Sequence, residues 1–275
     1  MAAMETIGVE TTGTDTAAAR WTAMMDARRV PEEILAHAPA SPYRQDPERF
    51  RAATEPPDTP SRTAALAFLA ETPADRRALD VGCGAGAASL ALAGEVDHVV
   101  GVDPASDMLA AFAAACLDRG VPYQAVLGTW PEAAGDTGDA PLVLCHHVGY
   151  DTTDLAGFAA GLTAAATTGV VLELHAEHPQ AWLDPLWRRF HGLERPAPPT
   201  ADDALAVLTE LGVGAQVERW TAGPRPLEDP QARAVRVARR LCLPPERVPE
   251  VADALAADPG LAGSPRERVT VTWRP

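Results

Sequence analysis

The segment ALDVGCGAGAASLALA, residues 78–93, constrains this chain more than any other. A short apolar run ends in Gly82, Gly84 and Gly86, which reads as a strand entering a tight turn, and the alanine-rich stretch 87–93 is predicted to leave that turn as a helix. Glycine at every second position lets the backbone approach a ligand closely, and a helix N-terminus behind it would offer unpaired amides. Asp103 closes the next apolar run, HVVGVD at 98–103. An acid about 20 positions beyond the first glycine, at the end of a second strand, accepts hydrogen bonds from both hydroxyls of a ribose. The segment is read as a nucleoside site.

The rest of the chain repeats the alternation. Helical patterns are predicted at 63–71, with Ser61 as N-cap, and at 105–119, 154–166, 201–211 and 231–241; further strands are predicted at 122–128, 141–147, 170–175, 215–220 and 268–274. Strands and helices in this order form a mostly parallel sheet covered on both faces. Upstream, residues 1–17 read as a frayed tail, and 18–37 as helix broken at Pro31. The proline-rich run that follows marks residues 1–60 as an N-terminal tail and helical cap and 61–275 as the main domain, with substrate-side helical insertions at about 178–200 and 225–262.

Composition removes several chemistries. All 23 basic residues are arginine, so no lysine serves a phosphate loop, a Schiff base or general-base work. With 38 acids the net charge is -15, a field that repels phosphate backbones and anionic lipid. Nucleic acid and membrane are therefore not expected partners. Cys83, Cys116, Cys145 and Cys242 form no CxxC pair, and no secretory signal or long apolar span is visible, so a cytoplasmic protein with reduced thiols is expected.

Asp80, Gly82, Gly84 and Gly86 match the pattern DxGxGxG, and with VVGVDPASDML after them the chain resembles class I S-adenosylmethionine-dependent methyltransferases. The likeness in element order runs from about Ser61 to Trp220 and the last strand. It implies a doubly wound α/β sheet of seven strands and S-adenosyl-L-methionine as cofactor. It also implies Asp80 near the methionine part, Asp103 on the ribose and Met108 against the adenine, with Cys83 and Pro104 in the same cradle. Where the family usually has an acid after the third strand, this chain has Thr129 and Trp130, a departure; a hydroxyl and an aromatic wall are expected there instead. A nicotinamide dinucleotide site is the competing reading, but its GxGxxG spacing is not met, since the third glycine comes one position early. A catalytically silent cofactor-binding partner or regulatory subunit is the alternative from another class.

Ligands of such sheets lie beyond the carboxyl ends of the strands, where His146 and His147 end one strand and His175 and His178 follow another. His147 or His146 is the candidate general base, with Glu177 or Asp151 to orient it, and His146 is also a candidate cofactor contact. Because strand side chains alternate, only one of His146 and His147 is expected to face the cavity. No metal is expected, the spacing matching no familiar ligand set. Tyr43, Tyr150, His178, Trp182, Trp187 and Arg188 are the candidate residues for the acceptor, read as a small molecule methylated on O, N or C; which molecule, and the oligomeric state, stay open.

Overall fold

The computed structural model describes residues 16–223, 228–261 and 266–275. Most of the expected N-terminal tail lies outside them, as do parts of the 225–262 insertion. The elements run α1 Ala17–Ala27, α2 Glu32–Ala36, α3 Pro60–Ala70, β1 Arg77–Val81, β2 His98–Asp103, α4 Ser106–Arg119, β3 Tyr123–Leu127 and β4 Ala140–His146. After these come α5 Leu155–Ala165, β5 Ala166–His175, α6 Asp184–His191, α7 Ala201–Glu210, β6 Gln216–Thr221, α8 Pro230–Arg240, α9 Val248–Ala257 and β7 Glu267–Trp273.

One seven-stranded sheet has the order β3-β2-β1-β4-β5-β7-β6, and only β7 runs antiparallel to its neighbours. This is the mostly parallel, doubly wound α/β sheet that the alternation implied. The order reverses between β1 and β4, which opens a crevice at their carboxyl ends. The central strands are apolar on both faces. Leu79, Val81, Val143 and Leu172 point to the side of α5 and α7, whereas Ala78, Leu142, Leu144 and Val171 meet Phe112 of α4 and Leu69 of α3. A third apolar cluster lies away from the sheet, where Leu183, Trp187, Val237, Leu241 and Val251 join α6, α8 and α9, and Ile34 and Leu35 bring in α2. This cluster forms a lid.

Two local readings are corrected. Thr59, not Ser61, caps α3 by accepting the amide of Arg62, and Ser61 is fully buried against the sheet. The alanine-rich stretch after the glycines forms no α-helix but a single 3-10 turn, Ser89–Leu92. The guanidinium groups of Arg119 and Arg62 take the carbonyls of Leu90 and Ala91, and Ser89 gives its amide to Asp80, so the groups an α-helix needs are already committed.

The first helix is bound into the main core. Trp21 is fully buried, stacks on Tyr150 at 5.8 Å and donates its Nε1–H to the Thr152 carbonyl at 3.0 Å, while Glu210 accepts the amides at the start of α1. Trp21→Ala should lower unfolding free energy by about 3–5 kcal/mol in a urea titration; a loss under ~1 kcal/mol would show that α1 does not hold the sheet layer.

Candidate active site

A cavity of about 1420 Å³ lies between the carboxyl ends of β1, β2, β4 and β5 and the lid. The glycine turn makes its floor. The amides of Gly82 and Cys83 both donate to the Val102 carbonyl, drawing the turn over β2. Gly82 sits at φ +69°, and a Cβ there would come within 2.3 Å of Val148. Gly84 donates its amide to Asp103 at 2.9 Å, and Ala105 donates to the other carboxylate oxygen at 2.9 Å. Asp103 thus locks the turn to the end of β2 while still lining the cavity.

Asp80 and Asp103 are both buried, and neither has a basic side chain within ion-pair distance among the described residues. Burial pushes Asp80 up to about 6, against the hydrogen bonds from Ser89, and raises Asp103 as well. A floor with two uncompensated acids suits a cation.

Both histidines after β4 line the cavity, contrary to the alternation argument. The strand ends at His146, and His147 adopts φ +66°, a left-handed conformation that swings its ring to the same side. Glu173, paired in register with His146 on β5, stands between them. His147 donates its Nε2–H to Glu173 Oε1 at 3.1 Å, and His146 Nδ1 lies 3.9 Å from Oε2. Ser61 donates to Glu173 Oε2 at 2.5 Å and is itself 2.7 Å from the Thr270 hydroxyl, which also receives the indole N–H of Trp220. Burial pushes the Glu173 carboxyl up, but the His147 hydrogen bond, the two imidazoles and Ser61 outweigh it and hold it down to about 2. Burial lowers His146 to about 4, and its Nε2 is enclosed without a partner.

Glu173 escaped the sequence reading; a glutamate in the otherwise apolar run VVLELH was the available signal. Of the orienting acids named instead, Glu177 is exposed and outside the cavity, and Asp151 lines it but faces Arg240. Among the predicted cofactor residues, Cys83, Pro104 and Met108 line the cavity along with the two acids and the first two glycines. Gly86 does not. A Cβ there would meet Leu90 and Phe112, so this glycine serves the packing beneath the turn. Thr129 bonds Glu132 at the surface, and Trp130 packs in the core, its indole against Gly161 of α5. Of the acceptor candidates, Tyr43, Tyr150, His178 and Trp187 line the cavity. Trp182 instead packs on the lid core under Arg233, and Arg188 is ion-paired with Glu194 on the outside, because the inner face of α6 belongs to Leu186 and Trp187.

Residues 78–168, which hold the glycine turn, Asp103 and both histidines, match the family model described as a methyltransferase domain. That segment, about a third of the chain, is a methyltransferase domain by this match. The floor of the cavity fits the expected S-adenosylmethionine: a sulfonium and an ammonium would meet the buried Asp80 and Asp103, which have no ion-pair partner among the described residues. No curated protein matches the sequence. Solved structures similar to it include precorrin 8w decarboxylase from Methanobacterium thermoautotrophicum, at 16% identity and TM-score 0.47 over 84% of this chain and 96% of that one. Magnesium protoporphyrin IX methyltransferase from Synechocystis PCC 6803 with bound S-adenosylhomocysteine (SAH) is 16% identical, TM-score 0.47, over 78% and 83%. Precorrin-6y C5,15-methyltransferase from Geobacter metallireducens is 13% identical, TM-score 0.47, over 82% and 94%.

The 3-10 turn also bears on the dinucleotide reading, since no α-helix N-terminus stands behind the glycines to receive a pyrophosphate. Among the described residues no group of three or more His, Cys, Asp or Glu is arranged to hold a metal, and no helix is long and apolar enough to cross a membrane.

The raised carboxyl of Asp80 predicts a trade-off. A folded-state value above the ordinary one penalises the fold at high pH, and the penalty shrinks as pH falls below about 6 toward the ordinary 3.8. Asp80→Asn should therefore stabilise the ligand-free protein at pH 8 by on the order of a few kcal/mol, with the gain shrinking below pH 6, while S-adenosylmethionine affinity falls. Chemical denaturation of both proteins across pH 5–8 checks it; a gain independent of pH would contradict the burial argument.

Proposed function

We propose that this methyltransferase moves the methyl group of S-adenosylmethionine to an O, N or C atom of a small-molecule acceptor enclosed beneath the lid, with His147 as the general base. The observation that carries this reading is the His147–Glu173 pair, which opens on the same cavity as the glycine turn and Asp103. Asp103 is assigned to the ribose hydroxyls, Asp80 to the methionine end, Met108 and Pro104 to the adenine side, and the backbone of 82–84 to the close approach. Residues 61–275 form the cofactor-binding domain in this reading. The described parts of the N-terminal segment to residue 60 and of the insertions around 178–200 and 225–262 roof the acceptor.

When bound, the cofactor supplies an electrophilic methyl on a sulfonium. The protein then has two tasks, alignment and removal of a proton. With its Nε2–H given to Glu173, His147 keeps Nδ1 as its basic nitrogen, and the carboxylate steadies the imidazolium that forms on taking the acceptor's proton. Glu173, held low by its surroundings, stays charged throughout this exchange. His146, held near 4, remains neutral at pH 7, with its Nε2 enclosed. The lid excludes water.

Net charge of -15 favours a small acceptor over a nucleic acid, and four buried, unpaired cysteines support a reducing, cytoplasmic setting. Calorimetric titration with S-adenosylmethionine, SAH and NADH tests the cofactor side; saturable binding of the first two and none of NADH is expected. Asp103→Ala should weaken SAH binding more than about tenfold. His147→Ala should leave SAH binding intact and reduce turnover by about 10²–10⁴-fold. Unchanged turnover in the His147 variant would remove the base from the mechanism.

A further inference from the structure

The roof of the cavity carries the opposite imbalance to its floor. Arg28 of the lid is matched by Asp184, its two terminal nitrogens at 2.7 and 3.0 Å from the two carboxylate oxygens. Arg195, directly beside it, is not matched. It donates one hydrogen bond to the Arg28 carbonyl and lies over the Trp187 ring at 5.1 Å, its Nε has no partner, and among the described residues no carboxylate stands within ion-pair distance. His178 completes the group without adding charge. Its Nδ1 accepts the Gln180 amide at 3.1 Å, which places the ring proton on Nε2, and burial together with Arg28 and Arg195 lowers it to about 3. Two guanidiniums, one carboxylate and one neutral imidazole leave this group a single positive charge, and Arg28, Arg195 and His178 line the cavity. Burial and Arg28 depress Arg195 itself, outweighing the pull of Asp184, which already serves Arg28.

We propose that Arg195 anchors a carboxylate of the acceptor, so that the molecule methylated here is an aromatic or otherwise flat monocarboxylic acid. A guanidinium binds a carboxylate through two parallel N–H bonds, and His178 Nε2–H and the Tyr43 hydroxyl stand on the same wall as further donors. A single surplus charge answers a monoanion better than a phosphate dianion. Trp187, its ring centre 5.1 Å from the Arg195 guanidinium, supplies an aromatic neighbour for a ring on the acceptor. The volume fits this reading as well, because about 1420 Å³ exceeds the roughly 300–1,000 Å³ that one small ligand needs. This rests on the methyltransferase reading of the cavity, with the cofactor on the acidic floor.

The test uses the full chain saturated with SAH, titrated with benzoate, 4-hydroxybenzoate, their amides, and inorganic phosphate. Both carboxylates should bind at least about tenfold more tightly than the amides and than phosphate. Arg195→Gln should erase that preference and leave SAH affinity unchanged, which also reports that the variant is folded; Arg195→Lys should restore part of it. Equal binding of acid and amide, no binding of either, or a preference that survives Arg195→Gln overturns the proposal. Should Arg195→Gln weaken SAH but spare methylthioadenosine, which lacks the methionine carboxylate, the anion held is the cofactor's own and the acceptor assignment falls. Failure of the unaltered chain to bind SAH would instead sink the cofactor placement, and this inference with it.

Discussion

Two carboxylates buried without a counter-ion set the terms for everything around them. Asp80 and Asp103 end adjacent parallel strands, and each is held by backbone amides of the turn between them. The amides favour the charged forms, burial opposes them, and the balance leaves a site waiting for a positive ligand. Gly82 and Gly84 follow from the same requirement, since only a chain bent through left-handed conformations brings its amides round to the end of β2. The close approach of Val148 to Gly82 then fixes where β4 delivers its histidines.

Set against the roof, the floor gives the cavity a polarity. Acids gather where the strands end, and unmatched arginine charge gathers on the lid. For a reaction that joins a cationic donor to an acceptor, such a gradient orients both partners before any bond is made. In a chain carrying -15, one unanswered guanidinium facing inward is a costly arrangement unless something answers it.

How much of this the sequence carried depends on how local each signal was. The turn, Asp103 and the strand order were legible because each is written in consecutive residues with a strong period or a glycine rhythm. The missing helix was not, because alanine propensity favours a helix at 87–93 and the arginines that claim its carbonyls lie 29 positions away on both sides. His147 was misread for a related reason: alternation holds only while the strand lasts, and one residue at φ +66° ends it. Glu173 needed tertiary knowledge, since its partners come from α3, β4 and β7. On α6, periodicity found the right aromatic residue in Trp187 and the wrong cation in Arg188, while Arg195, four positions past the helix, carried no periodic mark at all.

The lid has an apolar core of its own, separate from the two that clothe the sheet. Between that core and the sheet lies a cavity, not a shared layer of packed side chains. A ligand that spans floor and roof supplies that missing layer. Its binding energy becomes adhesion between lid and sheet, so occupancy governs unfolding cooperativity as well as catalysis, and protection from hydrogen exchange in the lid becomes a gauge of whether donor and acceptor are both in place.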